Sequence, residues 1–327
     1  MAGISLRDCQ IDAVNQMKNG CILCGDVGSG KSRTALAYYY KQNGGVLDTD
    51  EYYPMDDTSE LKDLYIITTA RKRDTFEWEG ELSPFLLSTH PELNLYSNKV
   101  VVDSWNNIGK YSAVEDAFFI FDEQRVVGSG SWVKAFLKIT KFNEWILLSA
   151  TPGDKWEDYI PVFVANGFYK NRTAFKEEHM VVTWKNGKYP KVDQYLDVGK
   201  LIRLRNSILV NIDFKRSTIA HHEYIHVAYD VKKYKDVSRR RWNPYKNEPI
   251  ANISELCYVW RQIVNSDESR QIALLELFEK HPKMIIFYNF DYELDILKGI
   301  YYGEDAEVCE WNGHKHQPVP TGNKWVY

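Results

Sequence analysis

Eight consecutive residues, Gly25-Asp26-Val27-Gly28-Ser29-Gly30-Lys31-Ser32, combine the side-chain types needed to hold phosphate. They fit G-x-x-x-x-G-K-[ST] with no mismatch. Glycines let a loop curl so that its N–H groups converge on phosphate oxygens. Lys31 supplies a long-reach positive charge for the terminal phosphates of a nucleotide, and the Ser32 hydroxyl is a ligand for Mg²⁺. A second chemical pair, Asp122-Glu123, ends the apolar run Ala117-Phe118-Phe119-Ile120-Phe121. An aspartate so placed can complete a Mg²⁺ shell, and the neighbouring glutamate can orient or deprotonate an attacking water. Ser149-Ala150-Thr151-Pro152 ends another apolar run. Its hydroxyls could hydrogen-bond the carboxylates of a neighbouring strand and relay a change at the phosphates, or form an ordinary loop with a proline stop. Gln10 precedes the glycine-rich loop, where its amide could pair with both edges of an adenine or simply be solvated on a helix. Arg71, Lys72 and Arg73 follow the apolar run Leu64–Ile67 and read equally well as phosphate contacts or as a solvated helix start.

These residues need elements to position them. Cys21-Ile22-Leu23-Cys24 reads as a short buried strand before the glycine-rich loop, and Arg33–Tyr40 as a helix after it. A helix is expected from Leu6 to about Met17, and strands over Leu64–Ile67, Val100–Val102, Ala117–Phe121 and Trp145–Leu148. Asp48–Lys62 is polar and reads as a surface loop. Strands alternating with helices predict an α/β protein with an open, mainly parallel sheet. Every polar cluster then falls at a strand C-terminus, where such sheets bind ligands. Val198–Ile212 reads as a helix closing this part. Beyond it, Glu223–Tyr229 alternates like a strand, Ile253–Glu279 reads as helices, Met284–Tyr288 as a strand, and a helix follows from Tyr292. Lys232–Lys246 is basic and carries Tyr234, Trp242 and Tyr245, a composition that suits contact with a nucleic-acid strand or a solvated linker.

Composition bounds the alternatives. With 44% apolar and 14% aromatic residues in 327, global disorder is excluded and two domains are affordable. The net charge of -4 means that any nucleic-acid surface is local. Five cysteines, Cys9, Cys21, Cys24, Cys257 and Cys309, argue for a reducing compartment rather than a disulfide framework. Cys21 and Cys24 lie in an apolar strand and read as core packing. His221, His222, His226, His314 and His316 lack acidic or cysteine partners at ligand spacing and read as surface or structural. No signal-like N-terminus and no run of 18 apolar residues occurs, so a cytoplasmic location and no membrane partner are expected.

The order of these motifs resembles that of superfamily-two helicases and translocases. Leu6-Arg7…Gln10, Gly25–Ser32, Thr68–Arg73, Phe121–Arg125, Ser149–Pro152 and Ile285–Phe290 look like its successive motifs. The resemblance is to the Snf-type branch, particularly the compact versions carried by bacteriophages, in which a segment like Trp260–Asp267 leads into the second domain. It implies two RecA-like domains clamping ATP and Mg²⁺ and moving along a nucleic acid, DNA in preference to RNA. By position it implies a nucleotide-binding set of Arg7, Gln10, Gly25, Asp26, Val27, Gly28, Ser29, Gly30, Lys31, Ser32 and Arg33. Ser32 and Asp122 would hold metal, and Lys31, Asp122, Glu123, Ser149 and Thr151 would serve catalysis and coupling. Arg71, Lys72 and Arg73 would lie near the nucleic acid.

The expected organisation is a first RecA-like ATP-binding domain over 1–216 and the start of a second over 217–327, with a basic insert around 232–246. Two departures stand out. The family usually has His or Asp two residues after the Glu, where this chain has Arg125. The final glycine-containing and arginine-finger motifs do not appear before Tyr327, so the chain reads as a fragment that hydrolyses ATP poorly. Two rival functions share the phosphate-loop signature: a phage DNA-packaging-type motor ATPase, and a non-hydrolysing nucleotide-binding regulator.

Overall fold

The computed structural model describes residues 3–56, 61–123, 126–185, 189–214 and 219–327. The chain divides into two compact units, Met1–Ser217 and Thr218–Tyr327. The first unit is a six-stranded sheet between two layers of helices. Its elements begin α1 (Asp8–Gln16), β1 (Ile22–Cys24), α2 (Lys31–Gln42), β2 (Leu64–Thr68), α3 (Ala70–Asp74) and α4 (Glu77–Leu82). There follow β3 (Val100–Ser104), β4 (Phe118–Asp122), α5 (Ser131–Ile139), β5 (Glu144–Ser149), α6 (Ile160–Ala165) and α7 (Arg172–His179). The unit ends with β6 (Met180–Lys185), β7 (Tyr189–Tyr195), α8 (Val198–Ile208) and β8 (Leu209–Asn211). Strand order is β3-β2-β4-β5-β1-β8, and every pair in this sheet is parallel. β6 and β7 form a separate antiparallel hairpin with a register shift between Val181 and Val182.

The strands are apolar throughout because both faces are covered, as parallel sheets require. Side-chain alternation then sorts neighbours to opposite cores. Leu23, Ile66, Phe118, Ile120 and Leu148 face α1, α2 and α4. Ile22, Ile67, Phe119, Phe121 and Leu147 face α5, α6, α7 and α8. The second core is aromatic: Phe121 and Phe136 meet edge-on with ring centroids 4.9 Å apart, and Phe136 meets Trp145 at 5.1 Å. Val198–Ile212 is not one helix. It turns at Leu209 into β8, which pairs with β1 and completes the sheet on that side.

The second unit holds α9 (Val231–Arg240), β9 (Trp242–Asn243), β10 (Glu248–Pro249), α10 (Ile253–Asn265), α11 (Glu268–Lys280) and β11 (Lys283–Met284). α12 (Asp291–Gly299), β12 (Glu307–Val308) and β13 (Trp325–Val326) complete it. Three of these short strands make a parallel sheet in the order β11-β13-β12. The strand expected over Glu223–Tyr229 does not form. Its residues have no ladder partner among the described residues and are mostly exposed, so alternation alone had nothing to pair with. The strand expected over Met284–Tyr288 is confined to Lys283–Met284, and Phe287 is 94% exposed. Among the described residues no helix is long and apolar enough to cross a membrane.

The aromatic core makes a measurable demand. Truncating buried Phe136 should lower the unfolding free energy of the first unit by about 3–5 kcal/mol in urea titration. Truncating Phe142, 53% exposed, should change it by less than about 0.5 kcal/mol.

Candidate nucleotide site

The register brings the chemistry to one edge. Cys24 pairs with Ser149, Asp122 with Leu148, Ile67 with Phe121, and Thr68 with Ser104. The C-terminal ends of β1, β5, β4, β2 and β3 are therefore level, and the loops that leave them share one rim.

Gly25–Gly30 connects β1 to α2 on this rim. Its root is tied to β5 by Gly25 N–H donating to the Ser149 carbonyl at 3.3 Å. Gly28 and Gly30 have φ of +81° and +88°, the left-handed region that L side chains rarely adopt. Gly30 is needed twice over, because a Cβ there would lie 2.4 Å from Gln10 Nε2. The Thr34 N–H closes the first turn of α2 on the Gly30 carbonyl at 2.9 Å. The N–H groups ahead of Thr34 have no intrahelical partner and leave a positive helix end at the loop. Lys31 Nζ donates to the carbonyls of Gly25 at 2.6 Å and Asp26 at 2.9 Å. Burial pushes its ammonium below the ordinary lysine range, more than the charge of Asp122 raises it. Ser29 is fully buried, and its Oγ has no hydrogen-bond partner among the described residues. Asp26, Val27 and Gly28 form the exposed crest of the loop, and Ser32 is partly buried in the first turn of α2.

Gln10 stands where the sequence puts it, beside the loop, but its amide is engaged by the protein. Its Oε1 accepts from the Arg7 N–H at 3.0 Å, and its Nε2 donates to the Gly30 carbonyl and Thr34 Oγ1, each at 3.2 Å. The Arg7 guanidinium lies 4.5 Å from the centroid of the Phe214 ring. Arg33, grouped by position with the nucleotide-binding residues, points elsewhere. Two residues along a helix is more than half a turn from Lys31, and Arg33 Nε donates to Glu81 of α4 at 2.7 Å.

The acidic pair lies across β5 from the loop. Asp122 is 2% exposed, and a buried carboxylate must be paired. Its Oδ2 accepts from Thr68 Oγ1 at 2.7 Å and from Lys72 Nζ at 2.9 Å, and its backbone carbonyl accepts from Trp105 Nε1 at 2.8 Å. Lys72 Nζ also lies 3.2 Å from Glu123 Oε1. Burial alone would push Lys72 down, yet Asp122 and Glu123 together hold its ammonium above the ordinary lysine range. Glu123 has φ of +59°. This left-handed residue turns the chain sharply at the strand end.

Three expectations change here. Lys72 is not a surface base; it is a cation set between the two carboxylates. Arg73 is likewise taken up, with Nη1 donating to Asp103 Oδ1 at 3.1 Å and Ser104 Oγ at 3.2 Å. Of the three bases Arg71 stands exposed on α3. The hydroxyl on the neighbouring strand that reaches Asp122 is Thr68 of β2, not Ser149 of β5. Ser149 is 4% exposed and its Oγ accepts from the Thr151 N–H at 3.1 Å, while Thr151 itself is exposed. Thr68, Lys72 and Trp105 are thus the members that sequence reasoning missed or misplaced. Thr68 and Lys72 carried one signal: Thr68 ends the strand that a parallel sheet sets beside β4, and Lys72 lies about one helical turn beyond it. Arg125 lies outside the described residues.

The donor set fits a nucleoside triphosphate with Mg²⁺. It offers a glycine loop, a helix N-terminus, an ammonium, a buried hydroxyl without a partner among the described residues, and two carboxylates at a strand end. A shallow cleft of about 160 Å³ opens on the same rim, lined by Thr68, Thr69, Ser104, Trp105 and Trp132 among others.

This is a RecA-like α/β core. Its fold is shared with the Sulfolobus solfataricus SWI2/SNF2 ATPase core in complex with dsDNA, at 15% identity and a TM-score of 0.51, covering 99% of this chain and 78% of that one. The S. solfataricus SWI2/SNF2 ATPase core domain also matches, at 15% identity and a TM-score of 0.49, over 99% of this chain and 76% of that one. The Pyrococcus furiosus Hef helicase domain matches at 16% identity and a TM-score of 0.36, over 54% of this chain and 41% of that one. No protein-family model matches the chain, and no curated protein does.

The Lys72 bridge gives a pH-dependent prediction. Replacing Lys72 with methionine leaves the buried Asp122 carboxylate with Thr68 as its remaining side-chain donor among the described residues and should cost about 1–3 kcal/mol at pH 7. A raised folded-state pKa contributes stability that is complete below the unfolded value, about 10.4, and is lost as pH rises through the folded value. Chemical denaturation of the two proteins should therefore converge only above about pH 10.5. A difference independent of pH across that range would show that the charge of Lys72 plays no part.

Proposed function

We propose that the chain is a DNA-dependent ATPase of the superfamily-two, Snf-type translocase class, with 1–216 as its ATP-binding RecA-like domain. The observation that carries the reading is the level placement, at neighbouring ends of one parallel sheet, of the Gly25–Ser32 loop and the Asp122–Glu123 pair. Lys31, Ser32 and the loop N–H groups bind the phosphates, and Ser32 and Asp122 hold Mg²⁺. The metal supplies charge neutralisation at the phosphoryl oxygens and orients them. Glu123 orients the attacking water and accepts its proton. Gln10 positions Gly30 from behind and contacts the base only by exchanging one of its present partners. Ser149 and Thr151, on and just after the strand between the loop and the acidic pair, transmit the state of the phosphates to the rim.

Support for DNA as the partner comes from the fold shared with an ATPase core that was captured on dsDNA, and from the exposed base Arg71 beside the site. The parallel sheet of the second unit supports reading 217–327 as part of a second RecA-like domain.

The test is kinetic. Lys31→Ala should abolish ATP turnover while the far-ultraviolet circular dichroism stays native. Glu123→Gln should bind ATP with near-native affinity and turn it over about 10²–10⁴ times more slowly, the usual worth of general base catalysis. Turnover of Lys31→Ala at the native rate would refute the site. Turnover indifferent to added DNA would refute the DNA-dependent reading while leaving the ATPase.

A further inference from the structure

The basic segment after residue 230 is a folded element, not a linker. α9 packs one face inward: Val237 is buried against Leu256, Val259 and Ile263. Tyr234 stacks on Trp260 at 5.3 Å and 18°, and Trp260 Nε1 donates to Ser238 Oγ at 3.0 Å. With 100° per residue, the opposite face carries Lys232, Lys235, Asp236, Arg239 and Arg240. Lys232, Lys235, Arg239 and Arg240 are exposed, and among the described residues none of them is in an ion pair. Lys232 to Arg239 spans roughly 10 Å along the helix axis, so the charges form a row.

The row ends on a braced hairpin. Arg241, with φ of +52°, turns the chain out of α9 into β9, which pairs with β10. Asn243 is 2% exposed and holds the turn: its Oδ1 accepts from the N–H groups of Tyr245 at 3.0 Å and Lys246 at 3.2 Å, and its Nδ2 donates to Glu255 at 3.3 Å. Lys233 Nζ sits 4.3 Å from the Tyr245 ring centroid. Trp242 is held by its Nε1 donating to Asn247 at 3.3 Å, yet it is 42% exposed. A cleft of about 340 Å³ lies between helix and hairpin, walled by Lys232, Lys233, Arg240 and Trp242 with Asp230 and Asp236. Asp230 is used as the α9 cap, accepting from the Lys233 N–H at 2.8 Å.

We propose that α9 and the β9–β10 hairpin form a second nucleic-acid-binding surface, which takes the phosphates of a single strand along Lys232, Lys235, Arg239 and Arg240 and stacks one base on Trp242. A linear polyanion matches a row of exposed cations, and a base matches a rigid indole at its end. A membrane does not fit, because an interfacial helix must insert its apolar face and that of α9 is buried in the unit. The proposal takes its polymer from the DNA-dependent reading above, but it uses none of the residues assigned to the nucleotide site.

The experiment is fluorescence anisotropy of a labelled 20-nucleotide oligothymidine with the full chain, titrated in salt. The wild type is compared with Lys232→Ala/Lys235→Ala/Arg239→Ala/Arg240→Ala and with Trp242→Ala. Every phosphate that the quadruple variant no longer neutralises should flatten the log–log salt slope by about 0.7. Trp242→Ala should weaken binding about 5- to 100-fold on the normal strand, from the known range for base stacking, and leave binding to an abasic strand unchanged. Trp242→Phe should retain most of the affinity. If the wild type binds the strand and the quadruple variant keeps its slope, this surface is overturned while the DNA-dependent reading stands. If the wild type does not bind the strand and DNA does not stimulate its ATPase, both fall. If the quadruple variant loses binding only to vesicles containing phosphatidylserine, the surface is a lipid site and the proposal is wrong.

Discussion

The buried carboxylate of Asp122 is the constraint on which the rim is built. A charge with 2% exposure is tolerated only with partners of good geometry, because its desolvation is otherwise far costlier than any single contact returns. Thr68 and Lys72 supply those partners from β2 and from the short helix that follows it. That requirement fixes where α3 starts. Thr69 caps it, with Oγ1 accepting from the Lys72 N–H at 3.3 Å, so cap and ion pair act on the same residue. Trp105 adds a third tie from the end of β3 to the Asp122 carbonyl. Strands β2, β3 and β4 are thereby locked at their C-terminal ends as well as along their ladders.

A similar economy holds at the glycine-rich loop. The left-handed Gly30 and the buried Gln10 amide are mutually dependent, since no side chain fits between them. Gln10 in turn accepts from the backbone of Arg7, so hydrogen bonds tie together the start of α1, the loop and the start of α2. Lys72 gives the acidic pair a comparable property. An ammonium from the chain itself sits between the two carboxylates, 2.9 Å from Asp122 and 3.2 Å from Glu123.

The second unit follows another logic. Its sheet is short and its cores are small, and the buried Asn243 braces the turn that carries exposed aromatic and basic groups. Rigid presentation of exposed apolar and charged groups is what a binding surface requires and what a linker does not.

The α/β class, the parallel sheet, the glycine-rich loop between a strand and a helix, and the placing of Asp122 and Glu123 at a strand end were legible in the order of residues alone. Their signals are local: a fixed spacing of glycines and lysine, and apolar runs that end in polar residues. The first sheet has near-continuous hydrophobicity because both its faces are buried, and such strands read clearly. Tertiary structure was needed for β8, a three-residue strand whose identity depends on β1 lying beside it. It was needed too for Glu223–Tyr229, which forms no ladder among the described residues, because alternation states a preference and a ladder needs a partner. Above all it settled the partners of the charges. Arg71, Lys72 and Arg73 are adjacent in sequence and alike in type, yet one is exposed, one bridges Asp122 and Glu123, and one is drawn to Asp103. Successive residues of a helix point about 100° apart, and what each meets there is set by strands brought together from elsewhere in the chain.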